Sequence, residues 1–329
     1  MSYKPSDYSD APEVLRDFIF YLLTIKGRSQ LTVENYYIDL RFFFRYLKIL
    51  RGLVPKNTEL KKIDISDVDI ALLETVTLSD VYSFLNYVYS EHGNNSRTRS
   101  RKVSALRTFF KYLTNNKGLL KNNPVEYLEL PSNPKTLPKH LTLEQSYDLL
   151  GSFDTQDPFY TRDFCIITLF LNCGIRLSEL TGLNLSSIVE NTLTVVGKGN
   201  KERQLYLNTA CMKAIEDYLV DRRKMPNIVD RNALFLNRNG KRLGQRRVQQ
   251  LVTELLDKTG LGGKGLSTHK LRHTAATMMY QYGEVDIRVL QEILGHTNLN
   301  TTQIYTHVSS QQKESAIENN PLANYKKKK

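Results

Sequence analysis

Near the end of the chain, "LGHTNLNTTQIYTHV" (residues 294–308) sets His296 nine positions before Tyr305 and contains no acidic residue. A tyrosine hydroxyl is either a half-buried packing partner or, when its surroundings activate it, a nucleophile that carries a covalent intermediate. Three other stretches hold groups suited to such activation. "STHKLRHTAATMM" spaces His269 and Arg272 three residues apart at the start of an expected helix, so both share a face. A helix N-terminus favours an anion, and an imidazole beside a guanidinium there resembles a phosphate pocket. "NCGIRLSEL" puts Arg176 after an apolar run and a glycine. That arginine is either held rigidly over a site or simply paired with Glu179. "GKGNKER" puts Lys198 and Lys201 on an expected hairpin tip, where a lysine either enters a groove or is solvated.

Other chemistries fit poorly. His269 and His273 have the spacing of helical zinc ligands, but no HExxH and no nearby Cys or Glu completes a shell. Neither "GKGNKER" nor "GLGGKGLST" matches GxxxxGK[ST], so no ATP site is expected. The reading is of chemistry with no metal and no cofactor. The three cysteines, Cys165, Cys173 and Cys211, are in no CxxC spacing and read as reduced, buried residues of a cytoplasmic protein. "MSYKPSDYSDAPEV" has no apolar core behind its charge, so it is not read as a signal peptide. No apolar run approaches the roughly 18 residues of a membrane span.

The elements that must position these groups are mostly helical. Val14, Phe18, Leu22 and Ile25 recur with helical period behind Asp10 and Glu13, which have capping-box spacing. Tyr36, Leu40, Phe43, Phe44 and Leu47 form a second stripe, and Val81, Phe84, Leu85 and Val88 a third. In "NNSRTRSRKVSALRTFFKYL", Val103, Leu106, Phe110 and Leu113 share a face, with Arg97, Arg101, Arg107 and Lys111 opposite. Three prolines in "LPSNPKTLPKHLT" (residues 130–142) cannot continue a helix and mark a domain boundary. Beyond it come further helices and the hairpin "LTVVGKGNKERQLYL". "ALFLNRNGKRL" reads as another short strand and turn.

At 329 residues the chain is long enough for about two domains. Its formal net charge of +12 comes from 46 Lys+Arg against 34 Asp+Glu. The excess is clustered. Between Glu91 and Glu126 there are eight basic residues and no acid, including Arg97, Arg99, Arg101, Arg107 and Lys111. Between Asp230 and Glu254 there are six, including Arg242, Arg246 and Arg247. Like charges repel, so two such blocks suggest two surfaces touching one long polyanion, with Lys201 a further contact.

Taken in order, "CGIRLSEL", "GKGNKER", "HKLRHT" and "LGHTNLNTTQIYTHV" resemble the active-site motifs of the tyrosine recombinase (phage integrase) family, its Xer-type members most closely. "RKVSALRTFFKYL", "NNPV" and the "LPK" linker resemble that family's N-terminal DNA-binding domain. The resemblance implies a mainly α protein with a small antiparallel β-sheet or hairpin in its catalytic domain, clamped as two domains around duplex DNA. Residues 1–129 would be the core-DNA-binding domain, 130–141 the linker, and 142–329 the catalytic domain with a C-terminal exchange segment. Tyr305 would attack the scissile phosphate and form a 3′-phosphotyrosyl bond. Arg176 and Arg272 would grip the non-bridging oxygens. His269 would take or hold the tyrosine proton, Lys198 would protonate the leaving 5′-oxygen, and His296 would add a hydrogen bond. The partners implied are two duplexes and three further recombinase protomers, alike or paralogous, acting near the nucleoid. A type IB topoisomerase and a DNA-binding protein without activity are the alternatives. The stretch "LRGLVPKNTELKKIDISDVDIALLETVT" is longer than in housekeeping members, which keeps a mobile-element enzyme open.

Overall fold

The computed structural model describes residues 8–131, 139–197, 201–283 and 285–295. Two compact units divide the chain, Met1–Lys135 and Thr136–Lys329.

In the first unit five helices, α1 (Glu13–Phe20), α2 (Gln30–Leu50), α3 (Ile70–Glu74), α4 (Leu78–Ser90) and α5 (Ser96–Lys111), enclose one apolar core. The stripes on α2, α4 and α5 are the ones their periodicity predicts: Leu40, Phe43, Phe44, Leu47, Val81, Phe84, Val88, Val103, Leu106 and Phe110 are all buried. On α1 and the helical segment Tyr21–Ile25 that follows it, the stripe is rotated to Leu15, Phe18, Ile19 and Leu22, and Ile25 is exposed. The expected Asp10–Glu13 cap does not form. Pro12 is the residue preceding α1, and it offers no side-chain cap. The Asp10 carboxylate instead accepts hydrogen bonds from the Tyr37 hydroxyl and from Arg41, so a tertiary contact replaces the local one. Burial, reinforced by that carboxylate, pushes the Tyr37 hydroxyl up to about 12. Helix ends elsewhere follow local chemistry: Asn95 caps α5 and a Thr77–Asp80 capping box opens α4.

The second unit is built around α7 (Tyr160–Cys173), whose Ile166, Ile167, Leu169 and Phe170 are fully buried. α9 (Thr209–Arg223) and α11 (Thr268–Tyr282) pack against it. α6 (Leu143–Gly151), α8 (Leu177–Gly182), α10 (Gln245–Lys258) and α12 (Ile287–Leu294) complete the helices among the described residues. All three cysteines are buried and free, and burial pushes the Cys165 thiol up. One antiparallel sheet runs in the order β1 (Ile188–Val189), β2 (Thr192–Val196), β3 (Glu202–Tyr206). Its β2–β3 register runs from Thr192 opposite Tyr206 to Val196 opposite Glu202. "ALFLNRNGKRL" forms two isolated bridges, Asn184 to Ala233 and Leu236 to Arg242, rather than a strand. No helix among the described residues is long and apolar enough to cross a membrane.

Candidate active site

The site grows from the end of α7. Gly174 closes that helix in the left-handed conformation, φ 58°. A Cβ there would lie 3.0 Å from Leu294 Cδ2, so conformation and space both call for glycine. The reversal brings Arg176 to the N-cap of α8. Its backbone N–H donates to Glu179 Oε2 at 2.8 Å and its guanidinium to Oε1 at 2.7 Å. Glu179 is buried, and Arg203 from β3 meets both its oxygens, at 2.7 and 2.9 Å. Burial alone would raise this carboxyl. The Arg203 and Arg176 hydrogen bonds outweigh it and hold the group down at about 2.

The far side of the site is the C-terminus of α12. A helix end leaves carbonyls without partners, and here each is accounted for. The N–H of Gly295, at φ 62°, turns back to the carbonyls of Gln291 and Glu292. The Ile293 oxygen accepts from Arg203 Nε at 2.9 Å. The Leu294 oxygen accepts from Arg272, and the Gly295 oxygen from Arg176 at 2.9 Å. Arg272, 2 % exposed, also donates to the Gly174 carbonyl at 2.6 Å. Three guanidinium groups from β3, α11 and α8 thus cap one helix end, where cations are favoured by the helix dipole. Arg176 and Arg272, distant in sequence, meet at adjacent carbonyls. Described residues hold two of the five N–H donors of Arg176, which fixes its fork while the side chain stays 34 % exposed.

His269 stands exposed in the first turn of α11, its ring edge-on to the buried His273 with centroids 4.6 Å apart. Arg272 lies one turn further along, directed at the α12 end rather than at the α11 N-terminus. Lys201 is exposed, immediately before β3 at the turn end of the hairpin. Lys198, His296 and Tyr305 lie outside the described residues. Sequence reasoning left open whether Arg176 is held over a site or paired with Glu179. It is paired with Glu179, and that pair is what holds it. Arg203 was missed. In sequence it reads as one more polar residue on a strand, and only its neighbours reveal it.

The expected DNA contacts differ among themselves. On α5, Arg97, Arg107 and Lys111 are exposed. Arg101 and the buried Lys102 close on Asp39 of α2, at 2.5 and 2.9 Å. Burial pushes the Asp39 carboxyl up, against the pull of both cations. Arg99 lies over the Tyr89 ring, 4.4 Å from its centroid. In the second unit Arg246 is exposed, and Arg247 pairs with Glu254 at 2.8 Å. Arg242, expected as a phosphate contact, is held by the protein itself. Its guanidinium binds Asp230, the Thr181 and Leu183 carbonyls and Asn184, because it fills the junction between α8 and the 233–242 turn.

Residues 139–312 match the model of the phage integrase family, and residues 60–117 match that of the phage integrase N-terminal SAM-like domain. The chain belongs to the phage integrase family of tyrosine recombinases. It is 50% identical over 312 residues to tyrosine recombinase XerC of Caldanaerobacter subterraneus subsp. tengcongensis, covering 95% of this chain and 88% of that protein. It is 31% identical to tyrosine recombinase XerD of Listeria monocytogenes, over 90% of this chain and 94% of that protein. Among solved structures, the XerH site-specific recombinase in a post-cleavage complex with palindromic difH substrate superposes with a TM-score of 0.69. That match has 25% identity, covering 89% of this chain and 81% of the other. A lambda integrase dimer on a COC′ core site, at 17% identity and TM-score 0.63, shares the fold, covering 88% of this chain and 95% of that one. Tyrosine recombinases carry out site-specific DNA recombination, and the mainly helical catalytic unit with its three-stranded sheet is the family's architecture.

Proposed function

We propose that this recombinase binds duplex DNA at a specific site and cleaves it with Tyr305. The tyrosine oxygen attacks the scissile phosphorus, a 3′-phosphotyrosyl ester forms, and the bond to the 5′-oxygen breaks. Attack by a 5′-hydroxyl reverses the exchange on the same or a new strand. One phosphodiester is replaced by another throughout, so the step needs no nucleotide.

The observation that carries this reading is the meeting of Arg176 and Arg272 at the α12 end, where Leu294 stands eleven residues ahead of Tyr305 in sequence. Held by backbone carbonyls before any substrate arrives, the two guanidinium groups are suited to receive the non-bridging oxygens and stabilise their growing charge. A tyrosine hydroxyl has a pKa of about 10, and this cationic setting favours its ionised form. His269 takes or holds its proton, Lys198 protonates the leaving 5′-oxygen, and His296 adds a hydrogen bond to the phosphoryl group. The exposed Arg97, Arg107 and Lys111 on the first unit, with Lys201 and Arg246 on the second, contact the DNA backbone.

The assembly we propose is a tetramer on two duplexes, with the segment after Tyr305 exchanged between protomers. Full-length likeness to both XerC and XerD proteins favours resolution of chromosome or plasmid dimers over mobile-element integration, in the cytoplasm.

The test is a nicked duplex that loses its short 5′-hydroxyl fragment on cleavage, which blocks religation. Wild-type protein should accumulate a covalent adduct. Tyr305→Phe, which keeps the ring, should bind the same DNA and form none. An adduct with that variant would move the nucleophile elsewhere.

A further inference from the structure

Arg203 has the marks of a residue that holds other residues rather than substrate. Its side chain is 13% exposed, and Nε, Nη1 and Nη2 all donate to protein acceptors. Two of those bonds form a fork on Glu179, the group that also fixes Arg176. The third reaches the Ile293 carbonyl, one residue before the carbonyl held by Arg272. Arg203 lies opposite Val195, one pair from the turn end of the β2–β3 ladder, and Lys198 falls in the β2–β3 connection in sequence. The approach is close. A Cβ on Gly295 would lie 3.1 to 3.2 Å from the Arg203 guanidinium, in a left-handed conformation that itself favours glycine.

From its place on β3, one guanidinium therefore ties together two parts of the machinery: the carboxylate that orients Arg176 and the helix end from which the chain runs on towards Tyr305. We propose that Arg203 is a positioning residue for strand cleavage, acting through Glu179 and the α12 terminus without touching the DNA. This rests on the reading of Tyr305 as nucleophile. Planarity is what the role requires. Only a fork meets both carboxylate oxygens and still reaches a carbonyl, so lysine cannot replace it fully.

A misplacement of about 1 Å at a reacting centre costs on the order of 10²-fold in rate. Arg203→Met should therefore lower the single-turnover rate constant for adduct formation on the nicked duplex by about 10²-fold. Arg203→Lys should lose about 10-fold, keeping one bond of the fork. Affinity for the intact duplex should stay within about threefold of wild type, since no phosphate contact is lost. Each rate constant is taken from the time course and the active fraction from its amplitude. Adding Glu179→Gln to Arg203→Met should slow cleavage no further, because both changes release the same group. A wild-type rate constant in both Arg203 variants would overturn the proposal. So would a defect confined to the amplitude, which marks a fold-stability role, or a matching loss of DNA affinity, which marks a phosphate contact. If Arg203→Met yields no folded protein, Arg203→Lys decides on the same criteria. Wild-type protein that forms no adduct would instead defeat the assignment of Tyr305, so the two failures are distinguishable.

Discussion

Replacing Glu179 by glutamine removes a charge while keeping size and most of the hydrogen-bonding shape. The structure sets the magnitude. An ordinary glutamate titrates near 4.5, whereas Glu179 is held at about 2. Tenfold in proton affinity is about 1.4 kcal/mol, so the folded state favours the ionised carboxylate by about 3 kcal/mol. The side chain is almost wholly buried, so solvent screening takes little from this. A folded value below the unfolded one means the stabilisation is complete above about pH 4.5 and is lost as pH falls towards 2. Glutamine resembles the protonated form. Glu179→Gln should therefore destabilise the second unit by about 3 kcal/mol at pH 7, and the gap to wild type should close between pH 4.5 and 2. Hydrogen exchange read by mass spectrometry separates the two units. Peptides spanning α8 and β3 should exchange up to about 10²-fold faster in the variant at pH 7, with those of α2 and α5 unchanged. Urea unfolding of both proteins across the acid range supplies the pH arm. Equal protection at pH 7, or a gap that is constant down to pH 2, would refute the argument that two arginines hold this carboxylate ionised.

Three further outcomes are expected. Lys198→Ala should slow cleavage by roughly 10²–10⁴-fold and be largely rescued when the 5′-bridging oxygen is sulfur, since a thiolate leaves without a proton; equal defects on both substrates would remove the general-acid role. Replacing exposed Arg97 and Arg107 together with alanine should flatten the log–log salt dependence of DNA binding by up to about two, and an unchanged slope would place this face of α5 away from phosphate. Gly174→Ala should destabilise the second unit by about 2 kcal/mol, combining left-handed strain with the push on Leu294; a melting temperature equal to wild type would show that the turn relaxes.

Much of the fold was legible because its helices carry clean apolar periods. Leu40, Phe43 and Leu47 or Val103, Leu106 and Phe110 could belong only to helices with one side in a core, and the glycine-rich tip between two β-rich runs fixed the hairpin. Local signals failed where a distant partner outbid them. Asp10 stands at capping distance from Glu13, but the Tyr37 hydroxyl is a better partner than a backbone N–H beside Pro12. Charge was read correctly in sign and incompletely in use. Arg242 and Arg107 are alike in sequence context, yet one is surrounded by carbonyls and the other is exposed. In the site, the chemical residue types were visible, but the frame was not. Arg203 and Ile293 are ninety residues apart, and nothing local links them.

The three-arginine cap on α12 bears on how inactive versions of this protein should be made. A variant made inactive by removing one of these arginines would not be an otherwise unaltered DNA binder. Here Arg176→Ala or Arg272→Ala would also leave a backbone carbonyl without its donor, and the first would strip a partner from a buried carboxylate. The product would be a differently built protein, and its occupancy on DNA would report the damage as well as the missing chemistry. Tyr305→Phe deletes one oxygen and keeps all three arginines of the cap, so it is the cleaner decoy.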